Sequence, residues 1–169
     1  YMFTVTDTVK NASETPRVLR AYGAVRRKDL PADLSHISTL HEGFTGVLGG
    51  TLYELDYKNA ATGKGQKAPE LAQGFDTKGG WLGITDKYWL GAVIPENTAT
   101  VHARYSARTG EDGRTIYEAG YVTEPRTIAA NGEVTVTGRL FAGAKRVELL
   151  RRYQKDQSIQ DFDKAVDWG

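Results

Sequence analysis

The chain of 169 residues contains no cysteine. Disulfides and thiolate metal sites are therefore excluded, while oxidising and reducing compartments both stay open. No apolar run approaches the length that spans a bilayer. There is no initiator methionine, and Tyr1 opens no signal peptide. The chain starts instead inside an alternating pattern, which reads as a mature fragment or a domain cut from something larger. A surplus of one charge is also missing, since 22 basic and 21 acidic residues leave a formal net charge of +1. That balance argues against a protein held to nucleic acid by overall phosphate attraction. What remains is the make-up of an ordinary soluble protein, 40% hydrophobic and 25% charged, neither disordered nor fibrous. Its length suits one domain with a sizeable core.

Recognisable catalytic motifs are scarce. His36 and His41 fall in a stretch, 30–46, that reads as loop. His41-Glu42 sets an imidazole next to a carboxylate, but adjacent residues on an extended chain point to opposite faces and do not readily meet. No His-Glu-x-x-His spacing is present to hold a metal. Gly63-Lys64-Gly65 lacks the first glycine and the strand–helix setting of a phosphate loop. No catalytic, cofactor or metal residue is assigned on these grounds.

The positive signal is β. Phe3 to Val9 alternates Phe, Val, Asp, Val against Thr, Thr, Thr, as a strand with one wet face does. Asn11 to Pro16 collects turn formers, and Val18 to Val25 reads as a second strand. The basic stretch Arg26-Arg27-Lys28 reads as solvated surface. Val47 to Tyr57 reads as one strand, with Tyr53, Leu55 and Tyr57 on one face. Residues 59–73 read as a mobile loop or hairpin tip. Gly79 to Pro95 then holds two of the three tryptophans, in two apolar arms, Trp81–Ile84 and Trp89–Ile94, around a short polar segment. A core hairpin is the plain reading. Thr98 to Arg108 alternates most cleanly, with His102 on the polar face, and Thr115 to Val122 and Glu133 to Phe141 follow. Asn131-Gly132 reads as a hairpin turn. Repeated short strands with glycine-rich turns indicate a β-sandwich.

From Ala144 the residues become good helix formers. Val147, Leu150 and Tyr153 form one apolar stripe, and the remaining face is basic through Lys145, Arg146, Arg151, Arg152 and Lys155. Ser158 reads as the cap of a second short helix with Asp161 near its positive end. Ile159, Phe162 and Val166 share a face there. The organisation expected is a β-sandwich over 1–143 and a helical tail over 144–169, closing on Asp167-Trp168-Gly169. Trp168 has the character of a core anchor or of an interfacial residue ahead of a membrane segment.

Three stretches carry a resemblance: Gly-Gly-Trp-Leu-Gly-Ile-Thr-Asp-Lys-Tyr-Trp (79–89), Leu-Phe-Ala-Gly-Ala-Lys (140–145) and Phe-Asp-Lys-Ala-Val-Asp-Trp-Gly (162–169). With His-Glu-Gly (41–43), Val-Leu-Gly (47–49) and the Asn-Ala-Ser-Glu-Thr-Pro turn, in this order, they resemble the large periplasmic domain of the YidC/Oxa1/Alb3 family of membrane protein insertases. The likeness spans nearly the whole chain. It implies a mainly β protein, an antiparallel β-supersandwich of two stacked sheets with a C-terminal α-helix. Family domains also extend N-terminal to where Tyr1 falls, so part of the first sheet is expected to be missing. The resemblance implies a position on the periplasmic side of the bacterial inner membrane, ahead of a membrane core of five transmembrane helices.

The family inserts and folds inner-membrane proteins, alone or with the Sec translocon, through a groove in that membrane core, none of which is in this sequence. The role implied here is accessory and not enzymatic, without cofactor. The implied partners are Sec accessory subunits, nascent inner-membrane proteins and the membrane core of the same protein. Val147, Leu150, Arg151, Arg152, Tyr153, Phe162 and Trp168 are the candidate partner- and membrane-coupling residues. Aldose mutarotases share the supersandwich, which supplies a rival reading as a sugar-binding enzyme. That reading would draw on Glu42, Glu54 or Asp56 as base and His102 or His41 as acid. A third reading, compatible with the first, is a surface for apolar peptides built on an exposed aromatic or a free sheet edge.

Overall fold

A computed structural model of the protein describes residues 1–32, 34, 40–64 and 68–166. Among the described residues, twelve strands form two stacked antiparallel sheets and a small ribbon. The larger sheet holds β1 (Met2–Lys10), β4 (Gly43–Leu48), β5 (Thr51–Asp56), β7 (Trp81–Thr85), β8 (Trp89–Ile94) and β12 (Glu133–Ala144), in the order β1-β12-β8-β7-β4-β5. The smaller sheet holds β3 (Tyr22–Lys28), β6 (Phe75–Lys78), β9 (Thr100–Thr109) and β10 (Thr115–Thr123), in the order β3-β10-β9-β6. Strands β2 (Arg17–Leu19) and β11 (Arg126–Ile128) make the ribbon. Two short helices, α1 (Tyr57–Thr62) and α2 (Ala68–Gln73), follow β5, and α3 (Val147–Asp156) with a 3₁₀ turn at Phe162–Ala165 follows β12. The mainly β, antiparallel stacked-sheet reading with a C-terminal helix holds.

The apolar alternation sorts into two cores, one on each face of the larger sheet. Between the sheets lie Phe44, Leu55, Leu82, Ile84 and Val93 from one side, and Ala103, Tyr105, Tyr117 and Ala119 from the other. On the outer face Val47, Trp81, Leu90, Ala92, Ile94 and Phe141 meet Leu150, Ile159, Phe162 and Ala165 of the helical segment. Strands covered on both faces lose the wet side of the alternation, which explains why β7 is buried throughout. Its Gly83 permits close approach to β8, since a Cβ there would lie 2.1 Å from the Gly91 carbonyl oxygen. At the margin of the larger sheet β1 pairs with β12, and Phe3 and Val5 are 50% and 47% exposed. The expected single wet face of this strand is in fact exposure on nearly every residue.

Several expected boundaries move. The strand expected over Val18 to Val25 is two strands with different partners, β2 on β11 and β3 on β10, broken at Arg20-Ala21. The single strand expected over Val47 to Tyr57 is the hairpin β4–β5, turned at Gly49-Gly50, where φ of +58° and +80° suits glycine. Strand β4 begins inside the supposed loop 30–46. Within the supposed loop 59–73 the structure has α1 and α2 instead. Asp56 caps α1 by accepting from the Asn59 N–H, and Gly63 closes it in the left-handed region. Asn131-Gly132 joins β11 to β12, which belong to different sheets, so it is a turn but not a hairpin. Strand β12 continues to Ala144 before the helix begins. Ser158 caps nothing, because the 3₁₀ turn starts only at Phe162, after Asp161 in the left-handed region.

Candidate functional site

The C-terminal segment is locked onto the outer face of the larger sheet. Leu150, Ile159 and Phe162 are buried against it. Phe162 packs edge-on against Trp81 (centroids 5.3 Å apart) and Phe141 (5.4 Å), and Tyr153 against Phe141 (6.1 Å). The Trp81 indole N–H donates to the Gln160 carbonyl at 3.1 Å. Arg139 of β12 donates to the Gln157 carbonyl at 2.9 Å and to the Asn97 side chain at 2.7 Å, tying the end of α3 to strand and loop. Burial lowers the Arg139 pKa from its ordinary value.

Of the residues that the sequence marks for coupling, Leu150 and Phe162 are therefore core side chains, while Val147 and Tyr153 are half-buried beside them. Arg151 and Arg152 lie on the exposed face. Arg151 bridges to Asp163 at 3.2 Å, and the Arg152 guanidinium sits 6.0 Å from the Tyr153 ring centroid. Trp168 lies outside the described residues. The stripe thus holds the tail on the sheet, and the basic face is the part presented outward.

Sequence reasoning passed over the corner where this tail begins. The turn between β7 and β8 closes with the Asp86 N–H donating to the Trp89 carbonyl at 2.9 Å. It is clamped from inside the molecule. Asp86 accepts from the Tyr57 hydroxyl at 2.8 Å and pairs with Arg27 of β3, while the Lys87 N–H donates to Glu42 Oε1 at 3.2 Å. Burial, and then the hydrogen bond to Asp86, push the Tyr57 phenol far above its usual value. On the outer side the Lys145 N–H donates to the Tyr88 carbonyl at 2.9 Å, and β12 pairs Ala144 with Trp89. Tyr88 and Trp89 project from this rigid tip 64% and 62% exposed. The available signal was the pairing of Lys87 and Tyr88 inside a predicted turn.

The basic stretch 26–28 is solvated surface at Arg26 and Lys28, as expected, while Arg27 is half-buried, and each cation also has an ion-pair partner: Arg26 with Glu118, Arg27 with Asp86 and Lys28 with Asp112. The acid–base candidates of the rival enzyme reading are dispersed into structural tasks. His102 Nδ1 meets Asp76 at 2.9 Å and Nε2 the Gln73 carbonyl at 3.2 Å. His41 Nε2 meets the Phe44 carbonyl at 2.7 Å. Glu42 receives the Lys87 N–H, Asp56 caps α1, and Glu54 is exposed on β5. His36 lies outside the described residues. Among the described residues no three His, Asp or Glu side chains gather as a metal would require, and no helix is long and apolar enough to cross a membrane.

Comparison with known proteins adds a family. A family model described as the YidC periplasmic domain matches residues 1–169. Among curated relatives, the membrane protein insertase YidC of Granulibacter bethesdensis is 43% identical over 170 residues, covering 100% of this chain and 29% of the relative. That of Caulobacter sp. (strain K31) is 38% identical over 192 residues, covering 99% and 30%. That of Rhizobium johnstonii is 39% identical over 170 residues, covering 100% and 27%. The chain thus spans 27–30% of the length of these relatives. No feature of the match favours the sugar-binding alternative.

Proposed function

The chain belongs to the family of YidC periplasmic domains, and from that premise we propose that it serves as a non-catalytic binding and positioning module of a membrane protein insertase. The observation that carries this reading is the family match over all of the chain. On this reading the parent protein assists insertion and folding of inner-membrane proteins, and this part of it stands on the periplasmic side. Its partners are nascent inner-membrane proteins, Sec accessory subunits and the membrane core of the same polypeptide. On this reading the sandwich unit ends with β12, and the segment after it is the tail that leads toward that core.

The packing supports a mechanical role for the tail. Leu150, Ile159 and Phe162 are buried in the same core as Trp81 and Phe141, so the tail and the larger sheet move as one body. Arg151 and Arg152 on the outward face are the contacts for lipid or partner.

The test is charge reversal, Arg151→Glu with Arg152→Glu, in the intact insertase. Reduced insertion of a reporter inner-membrane protein, or reduced co-purification of Sec components, is the expected result. Normal insertion together with normal co-purification removes this role from the basic face. Because Arg151 also bridges to Asp163, Arg152→Glu alone separates loss of contact from loosening of the tail.

A further inference from the structure

We propose that the β7–β8 turn and the corner where β12 passes into α3 form a membrane-contacting patch that seats on anionic phospholipid headgroups. This rests on the membrane-associated reading above but uses none of the residues that reading names. Five observations converge on it. Tyr88 and Trp89 are adjacent and mostly exposed. They are the two side-chain types that settle at the water–lipid boundary, where an apolar ring and a polar edge are both accommodated.

Their backbone is fixed by hydrogen bonds of 2.9 Å on both sides of the turn, so little order is lost when they are immobilised at an interface. Among the described residues, the hollow beside Tyr88 is lined by Leu40, Lys87, Ala144, Lys145, Arg146 and Val166, of which Lys87, Lys145 and Arg146 are basic. Asp86, the acid of the turn itself, is engaged from the opposite side by Arg27 and Tyr57. Finally, Val166 lines the same hollow, so the helical tail returns to the corner from which α3 departs.

The chemistry follows from the arrangement. The Lys87 ammonium rests 5.1 Å from the Tyr88 ring centroid, which places cation and aromatic ring in one interfacial layer. Each basic residue near an anionic surface is worth roughly a factor of five in binding, weakened by salt. The aromatic pair adds a contribution that salt does not screen. The Tyr88 ring borders the basic hollow, and the exposed Trp89 follows it directly in the chain.

The experiment is co-sedimentation of the 169-residue chain with phosphatidylcholine vesicles and with the same vesicles containing phosphatidylglycerol. Binding to the anionic vesicles, falling with added salt, is expected. Lys87→Glu with Arg146→Glu should lower it at least tenfold, and Tyr88→Ser with Trp89→Ser should remove the part that survives salt. Arg104→Glu, on the exposed face of the smaller sheet, should follow wild type. As a readout that does not depend on those variants folding, brominated phosphatidylglycerol should quench tryptophan emission of the Trp168→Phe chain, and adding Trp89→Phe should remove most of that quenching. Trp81 is fully buried and contributes little. Absence of binding by the folded wild-type chain, or equal binding by the patch variants, overturns the proposal. That outcome leaves the insertase reading intact if reversal of Arg152 still impairs insertion.

Discussion

Tyr57 and Tyr105 are both fully enclosed tyrosines of the inter-sheet core, yet their hydroxyls meet opposite fates. That of Tyr57 donates to the Asp86 carboxylate, whereas that of Tyr105 has no hydrogen-bond partner among the described residues. A hydrogen bond to a charged group contributes about 1.5–3 kcal/mol, and an unpaired buried hydroxyl costs about 1–3 kcal/mol. Tyr57→Phe is therefore expected to lower the unfolding free energy in urea by about 1.5–3 kcal/mol. Tyr105→Phe should leave it unchanged or raise it by about 1 kcal/mol. Equal losses would show that the Tyr105 hydroxyl has a partner in solution. Asn11 makes the complementary point. It reads as a turn former, but it is buried, and its amide donates to the carbonyls of Thr15, Ile128 and Ala129 at 2.9–3.1 Å. Composition marks the turn; only the fold shows that one side chain stitches it to the far strand.

Among elements, the hairpin β7–β8 was the most legible. Its two apolar arms are longer and richer in aromatics than an exposed hairpin tolerates, and both prove to be central strands. Strands β9 and β10 were legible for the same reason, a clear period of two with one buried face. The elements that escaped were short. Strands β2, β6 and β11 have three or four residues each, too few for a period to register. Helices α1 and α2 are six residues each and draw their stability from packing more than from propensity. The stripe of α3 was visible, but what covers it was not. Leu150 is expected to behave as a core residue, so Leu150→Ala should cost about 2–5 kcal/mol. Protection of α3 amides from hydrogen exchange should fall with it. A cost below about 1 kcal/mol would mean that the tail is not docked as described.

At the scale of the whole molecule, stacking of the sheets sets the pH response. Burial raises the phenol pKa of Tyr57 and Tyr105, with Asp86 and Glu54 respectively adding to the rise, and burial raises those of Tyr117 and Tyr121 as well. In the unfolded chain these groups lose their protons near about pH 10. The folded protein holds them longer, so the stability they contribute is complete below about pH 10 and is lost as pH rises beyond it. Alkaline titration followed by tyrosinate absorbance should show these four tyrosines ionising together with loss of far-ultraviolet signal. Their ionisation with structure retained would contradict the enclosed core.

The sequence by itself determined that this protein is antiparallel β with a helical end, because alternation, turn residues and helix formers are properties of neighbours along the chain. Its motifs also placed it in its family. The tertiary structure alone decided which strand pairs with which, that Arg26, Arg27 and Lys28 are all paired, that Leu150 and Phe162 face the sheet, and that Tyr88 and Trp89 do not. Each of those outcomes depends on residues far apart in sequence meeting in space. A periodic pattern states that a face is apolar, but the packing of the two sheets and the tail selects what covers it.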